Sequence, residues 1–485
     1  MIGSGRASVA AAADLSRAFV EDMGDSAPSS VYALASLGSF GAHTQNQERD
    51  LHKWVRQLYN INLSTFDVQC DMQVDNMPGL QKVTIPFLLP HELFDVLAGV
   101  GKLQWSLSVT GGRSGPEIRQ FWEHLFKQEE WENHPARFLR YIQRDRLIPV
   151  AFHIDGVEFY ANTEHYVWSL QSVFTTGEVW DVKFPICIVP HSWMNKKSVK
   201  EAMHSTVARV TTWSMRCALK GKAPERGPYG EVLHGTRGEQ AGKTLASGYH
   251  FAYFGFKADA KARKECHRFD RTYGHNKICE CCFAERPNKD GDPLLTFKNF
   301  YPNAAHMMTE LSHSEYLQSS ATHSPWENMP GFHVKSCFRD PMHTIFLGTA
   351  KEITASCLGY WCRNGYILGN DLHEQLRAIS RKQKEDCKAA GLHGTFKTYT
   401  PSNTGLDPAN QFPELGSGFK AASVKTSLWF HAKLAGEIYA ENPEDTWFGW
   451  QQKTFRNAIS CHFVQFCLVN REGVSAIDCP AQTSG

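Results

Sequence analysis

The sequence predicts an α/β (α+β) fold, a mixed sheet core with flanking helical regions, and three observations carry that prediction. Three extended, apolar runs follow one another between residues 147 and 190 with short connections. A long helical pattern and a fourth extended run, "GYHFAYFGF", come next. On both sides of this block, apolar residues recur at helical rather than strand spacing.

A length of 485 residues suits two or three domains, and 42% apolar residues mark a globular chain. The net charge of +1 supplies no global field for a polyanion, so any nucleic-acid contact must use local patches. The 14 cysteines are scattered, with three of them in one "CECC", which reads as reduced thiols plus a metal site. The opening "MIGSGRASVAAAADLSRAF" has too little apolar bulk for a signal peptide. No uninterrupted apolar stretch has the length of a membrane span, so a soluble intracellular protein is expected.

Residues 1–48, rich in Ala, Ser and Gly, are expected to be ordered only in part. Residues 49–145 read as a helical N-terminal region. There "VTIPFLLPHELFDVLAGVG" has an extended start and then a helix with Pro near its first turn. Ile118, Phe121, Trp122, Leu125 and Phe126 fall at helical spacing. The core spans 146–365. "LIPVAFHIDG" is a strand stopping at an Asp-Gly turn, and "HYVWSLQSVFTT" and "VWDVKFPICIVP" complete an antiparallel meander. "SVKEAMHSTVARVTTWSMRCALKG" is a helix with a Gly stop, and "DAKARKECHRF" turns helical after the fourth strand. The order β-β-β-α-β-α is that of a ribonuclease-H-like core. Residues 283–332 are expected to be irregular, 341–363 helical, 366–470 a helical C-terminal region and 471–485 an unstructured tail.

Three carboxylates stand out in this frame. Asp155 ends a strand, Asp259 follows another, and Glu352 lies on the helix of "DPMHTIFLGTAKE". Carboxylates converging on two cations about 3.5–4 Å apart perform phosphoryl transfer, and Mg²⁺ (or Mn²⁺) suits such a site. Each residue also has a plainer use: Asp155 as a turn residue, Asp259 as a helix N-cap, Glu352 as a flank residue beside Lys351. On a straight helix 341–363, Met342, Ile345, Phe346, Thr349, Ile353, Cys357 and Tyr360 share one face, with Glu352 at its margin. His343 then lies about 180° from Glu352 and serves a different site.

Cys279 and Cys282 have zinc-knuckle spacing, with Cys281 as a rival ligand. One CxxC is half a Zn²⁺ site. His343 is the expected third ligand, with Cys337 or Asp340 as fourth, giving a zinc-knuckle insertion in the core. Buried free thiols are the alternative. Lys196, Lys197, Lys200, Arg209, Lys261, Arg263 and Lys264 lie on two basic stretches suited to DNA phosphates or to a solvated helix face.

Taken together, "HIDGVEFYANTEHYVWSLQSVF", "FKADAKARKECHRFDRTYGHNKICECCFAE" and "CFRDPMHTIFLGTAKEITASCLG" resemble the transposases of CACTA (En/Spm-like) DNA transposons, including the related sequences of dinoflagellate genomes. The resemblance implies a ribonuclease-H-like fold with an acidic triad of Asp155, Asp259 and Glu352, with Asp340 competing for the third place. It further implies two Mg²⁺ ions, DNA cleavage at transposon ends, strand transfer into target DNA, nuclear localisation and a homo-oligomer. The chain is short for that family and its last residues look unrelated to it, which leaves open a truncated or inactive copy. The alternatives are a catalytically dead DNA- or protein-binding module on the same fold, and a zinc-stabilised scaffold.

Overall fold

A computed structural model describes residues 8–467 except 40–45, 48, 52, 54–62, 161–162, 178–181, 273, 289–290, 300, 302, 320–322, 341, 393–396 and 407–411. The tail expected at 471–485 lies outside the described residues. The chain divides into two compact units, Met1–Phe338 and Arg339–Gly485. In the second unit Phe346 and Ala350 share one buried cluster with the C-terminal helices.

The first unit opens with helices α1 (Val9–Met23), capped by the Ser8 hydroxyl, and α2 (Ser29–Ala35). Residues 49–145 are not wholly helical: strands β1 (Phe66–Met72) and β2 (Gln81–Phe87) form an antiparallel pair. The extended start seen in "VTIPF" belongs to β2. Helix α3 (Pro90–Val100) begins on its Pro with Glu92 in the first turn. Helix α4 (Gly115–Leu125) starts in a Ser114/Glu117 capping box. Its fully buried Trp122 donates its indole N–H to the Leu147 carbonyl at 2.7 Å, fixing α4 against the first residue of the central strand.

That central strand, β3 (Leu147–Tyr160), pairs antiparallel with β4 (Thr163–Ser172), which pairs antiparallel with β5 (Phe184–Pro190). Helix α5 (Lys197–Lys220) crosses over and stops at Gly221, whose φ of 66° is the left-handed cap conformation. Strand β6 (His250–Ala258) returns parallel to β3, and helix α6 (Ala260–His267) follows. With the short β7 (Cys337–Arg339), the five-stranded sheet has the order β5-β4-β3-β6-β7. Phe152 and Ile154 are buried on one face of β3, where Phe152 and Phe256 pack on Trp326 at 5.9 and 5.0 Å.

The expected turn at Asp155-Gly156 is absent. The strand runs on, with Gly156 paired to Tyr166. A Cβ on Gly156 would lie 2.2 Å from the Glu164 carboxylate, so glycine serves a close cross-strand approach. Gly255 plays the same part on β6, where a Cβ would meet the Phe338 ring at 2.1 Å. Among the described residues no helix is long and apolar enough to cross a membrane.

The second unit consists of helices α7 (Ala350–Arg363), α8 (Leu372–Ala389), α9 (Ala421–Glu441) and α10 (Thr446–Cys467) around Trp361, Leu428 and Phe448. The straight helix expected over 341–363 is broken. Residues Met342–Thr349 form a π-helical run, and Gly348 leaves the helical region at φ −104°, ψ −115° before α7 begins. The stop at Asn364-Gly365 is as expected, with Gly365 at φ 75°.

Trp122→Ala removes both a buried ring and the clamp on β3. It is expected to cost about 3–5 kcal/mol, read as a lower urea midpoint.

Candidate carboxylate site

Parallel pairing of β3 with β6 sets the geometry. The register ends at His153↔Lys257 and Ile154↔Ala258. The next residues along the two segments are Asp155, still inside β3, and Asp259, which has left β6 to cap the following helix, so both acids follow directly on the last pair of the ladder. Both are half-buried. Asp155 remains inside a strand, locked on its other side by the Val167 partner on β4. Asp259 is the N-cap of α6, with Oδ1 accepting from the Ala262 N–H at 2.6 Å. The plainer use foreseen for Asp259 is therefore present, and Oδ2 is the oxygen not engaged by the cap.

The pleat places His153 on the same face as Asp155, two residues earlier. His153 is buried, and the Lys183 ammonium lies 2.8 Å from its Nδ1. Lys257, half-buried, is the register partner of His153. Neither Lys183 nor His153 was marked by a motif. The only sequence signal was the alternation His153-Ile154-Asp155, polar on one side and apolar on the other.

Glu352 lies in the second unit, exposed in the first turn of α7. The break at Gly348 removes the straight-helix angle between it and His343. Asp340 and His343, also in the second unit, form a pair of their own. Asp340 Oδ2 meets His343 Nδ1 at 2.8 Å, and its Oδ1 accepts from the Met342 N–H at 3.2 Å.

The "CECC" loop is shaped around Cys279. The Cys281 N–H donates to Cys279 Sγ at 3.3 Å. Arg271 reaches the carbonyls of Cys279 and Cys282 at 3.0 and 3.1 Å and lies over the Phe283 ring. Hydrogen bonds from Cys281, then those from Cys282, hold the Cys279 thiol down to about 5, against burial. Burial pushes the Cys282 thiol up, and the fully buried Cys337 thiol well up. A thiolate cradled by N–H groups is a good soft-metal donor, so Cys279 with Cys282 fits half of a Zn²⁺ site. Cys337 lacks that environment, and Asp340 and His343 belong to the other unit. Among the described residues, no group of three or more His, Cys, Asp or Glu side chains is placed to hold a metal ion.

The basic residues separate by environment. Arg263 is buried and pairs with Glu280 at 2.5 Å, so it braces the "CECC" loop instead of meeting a phosphate. Lys200 pairs with Glu265 at 2.9 Å, and Lys197 with Glu201 at 3.7 Å. Arg209 stacks over Tyr229, and Lys264 reaches His275. Lys196 and Lys261 are exposed.

Comparison with protein-family models gives no match, and comparison with curated proteins gives none.

The Cys279 environment has a measurable consequence. Its folded-state value lies below the ordinary thiol value of about 8.5. The stability it lends is complete above that ordinary value, declines as pH falls, and is gone below about 5. Iodoacetamide alkylation of Cys279, followed by peptide mass spectrometry, is expected to be half-maximal near pH 5. A midpoint at the ordinary thiol value contradicts the cradle.

Proposed function

We propose that the chain is a transposase-like protein for metal-dependent DNA cleavage and strand transfer. The observation that carries this is that Asp155 and Asp259 each follow directly on Ile154↔Ala258, the last pair of the parallel β3–β6 ladder. The sheet supports it as well. An antiparallel meander followed by a crossover helix and a parallel strand agrees with the β-β-β-α-β-α order of a ribonuclease-H-like core. The resemblance to CACTA transposases falls on the same residues.

Two hard carboxylate oxygens fit Mg²⁺ or Mn²⁺, which keep waters and phosphate oxygens as their remaining ligands. Such an ion would supply charge neutralisation and an acidified water for in-line attack on phosphorus. Asp155 contributes a carboxylate whose backbone is held in β3 by pairing with Val167 of β4. Asp259 contributes Oδ2, its orientation set by the cap through Oδ1. The third acid, Glu352 with Asp340 competing, is what the resemblance alone implies. DNA as partner, nuclear localisation and homo-oligomer formation follow from this reading. The zinc-knuckle insertion enters it as the Cys279–Cys282 half-site.

A second reading is a catalytically dead DNA- or protein-binding module on the same fold. The engagement of Asp259 as the N-cap of α6 favours it.

Nicking of supercoiled plasmid in Mn²⁺ separates the two. Asp155→Asn is expected to lower the nicking rate by at least about 10²-fold, as loss of a charge-stabilising group does, with an unchanged thermal midpoint. Undiminished nicking by this variant, or a wild-type protein that binds DNA without nicking it, refutes the enzyme reading.

A further inference from the structure

We propose that the cavity between α3 and the 223–245 segment binds a small zwitterion, a free α-amino acid, with Asp95 receiving its ammonium and Lys243 its carboxylate. The inference is independent of the Asp155–Asp259 reading. Leu245 of the cavity wall precedes the first residue of β6 and Asp259 follows its last, so the two sites lie at opposite ends of that strand.

The cavity has a volume of about 590 Å³, within the range of small-molecule sites. One wall is a face of α3, on which Glu92 and Asp95 lie one turn apart. The other wall is a loop closed at its base. There Lys222 and Thr244 pair through the backbone, and Lys222 Nζ donates to Thr244 Oγ1 at 2.9 Å. Arg237 bridges the two walls. It donates to the two Glu92 oxygens at 2.6 and 2.9 Å and to the Ser64 carbonyl at 3.1 Å. This bidentate clamp commits the guanidinium to holding the loop on the helix, so the cavity is formed without a ligand.

The next acid along α3 is placed differently. Asp95 Oδ1 accepts from the Ala246 N–H at 2.7 Å, and Oδ2 is the oxygen that this bond does not use. Lys243 stands on the loop wall. Its N–H and C=O are engaged by Gln240 and Ala223 at 3.0 and 2.9 Å, which fixes its place, and its side chain is exposed. Asp95 and Lys243 thus repeat the opposition of Glu92 and Arg237, and both line the cavity.

This pattern selects a dipolar ligand. The acids are on the helix and the cations on the loop, so the charges of the walls cancel in sum but not in place. An anion alone meets Glu92 and Asp95, and a cation alone meets Arg237 and Lys243. A zwitterion sets each end against its opposite. His91, only 3% exposed, also lines the cavity and adds no charge. Burial, then the Arg237 guanidinium, pushes its imidazole down to about 3, and its Nδ1 meets the Ser214 hydroxyl at 2.7 Å. Val96 and Leu233 supply apolar surface for the ligand's side chain. Asp95 and Lys243 both reach solvent, so the contacts are screened and the affinity falls with salt.

The test screens the standard L-amino acids at millimolar concentration by thermal midpoint, and measures the tightest by isothermal titration calorimetry. At least one is expected to raise the midpoint by binding the folded state. Its N-acetyl derivative, which lacks the ammonium, and its amide, which lacks the carboxylate, are each expected to bind about 10-fold more weakly, as loss of one charge-assisted contact does. Asp95→Asn keeps an acceptor for the Ala246 N–H and is expected to bind the amino acid no better than its N-acetyl derivative. Lys243→Gln is expected to bind the amino acid no better than its amide. Asp155→Asn is expected to bind as the wild type does, so failure of the carboxylate reading leaves this site standing. No binding by any amino acid, derivatives that bind as well as the parent, or binding that either cavity substitution leaves unchanged overturns the inference.

Discussion

The parallel pairing of β3 with β6 is the constraint on which the rest of the first unit depends. It ends at Ile154↔Ala258, and Asp155 and Asp259 are the residues that follow directly on that last pair. A parallel pair cannot be closed by a tight turn, and the crossover between these strands is what α5 supplies. The same strand β3 pairs with β4 along its other edge, which brings β5 near enough for Lys183 to reach His153. The Glu164 carboxylate over Gly156 and the Phe338 ring over Gly255 leave no room for a Cβ at either position. Shifting this register by one residue would turn Asp155 to the face that buries Phe152 and Ile154.

Much of the remaining charge works inside the protein. Arg263 and Arg271 converge on the "CECC" loop, one through Glu280 and one through two backbone carbonyls. A buried pair such as Arg263–Glu280 adds little net stability against a hydrophobic alternative, yet losing one partner strands the other charge. Its use here is geometric. It holds the loop whose N–H groups cradle the Cys279 sulfur. The net charge of +1 therefore hides a division between cations that brace the fold and those, such as Lys196 and Lys261, that face solvent.

Period-2 and period-3.6 patterns made the meander and α5 legible in the sequence, and β6 was legible as a continuous apolar run, since it is buried on both faces. The placement of Asp155 and Asp259 directly after one ladder was implied only once the strand order was assumed, since the residues are far apart in the chain. The Asp-Gly pair misled, because glycine there serves a cross-strand contact with Glu164 and not a turn. The hairpin of β1 and β2 was hidden by polar residues on its exposed side. The break at Gly348 was invisible to a pattern that assumes a straight axis. Lys183 could not be found from sequence at all, because its partner is two strands away.

The central claim is that Asp155 and Asp259 bind one divalent cation together. Anomalous diffraction from crystals soaked in Mn²⁺ tests it most directly. The account predicts a peak bridging the two carboxylates, with Asp259 still capping α6 through Oδ1. Saturating Mn²⁺ that leaves no peak there, or places it away from both residues, would contradict it.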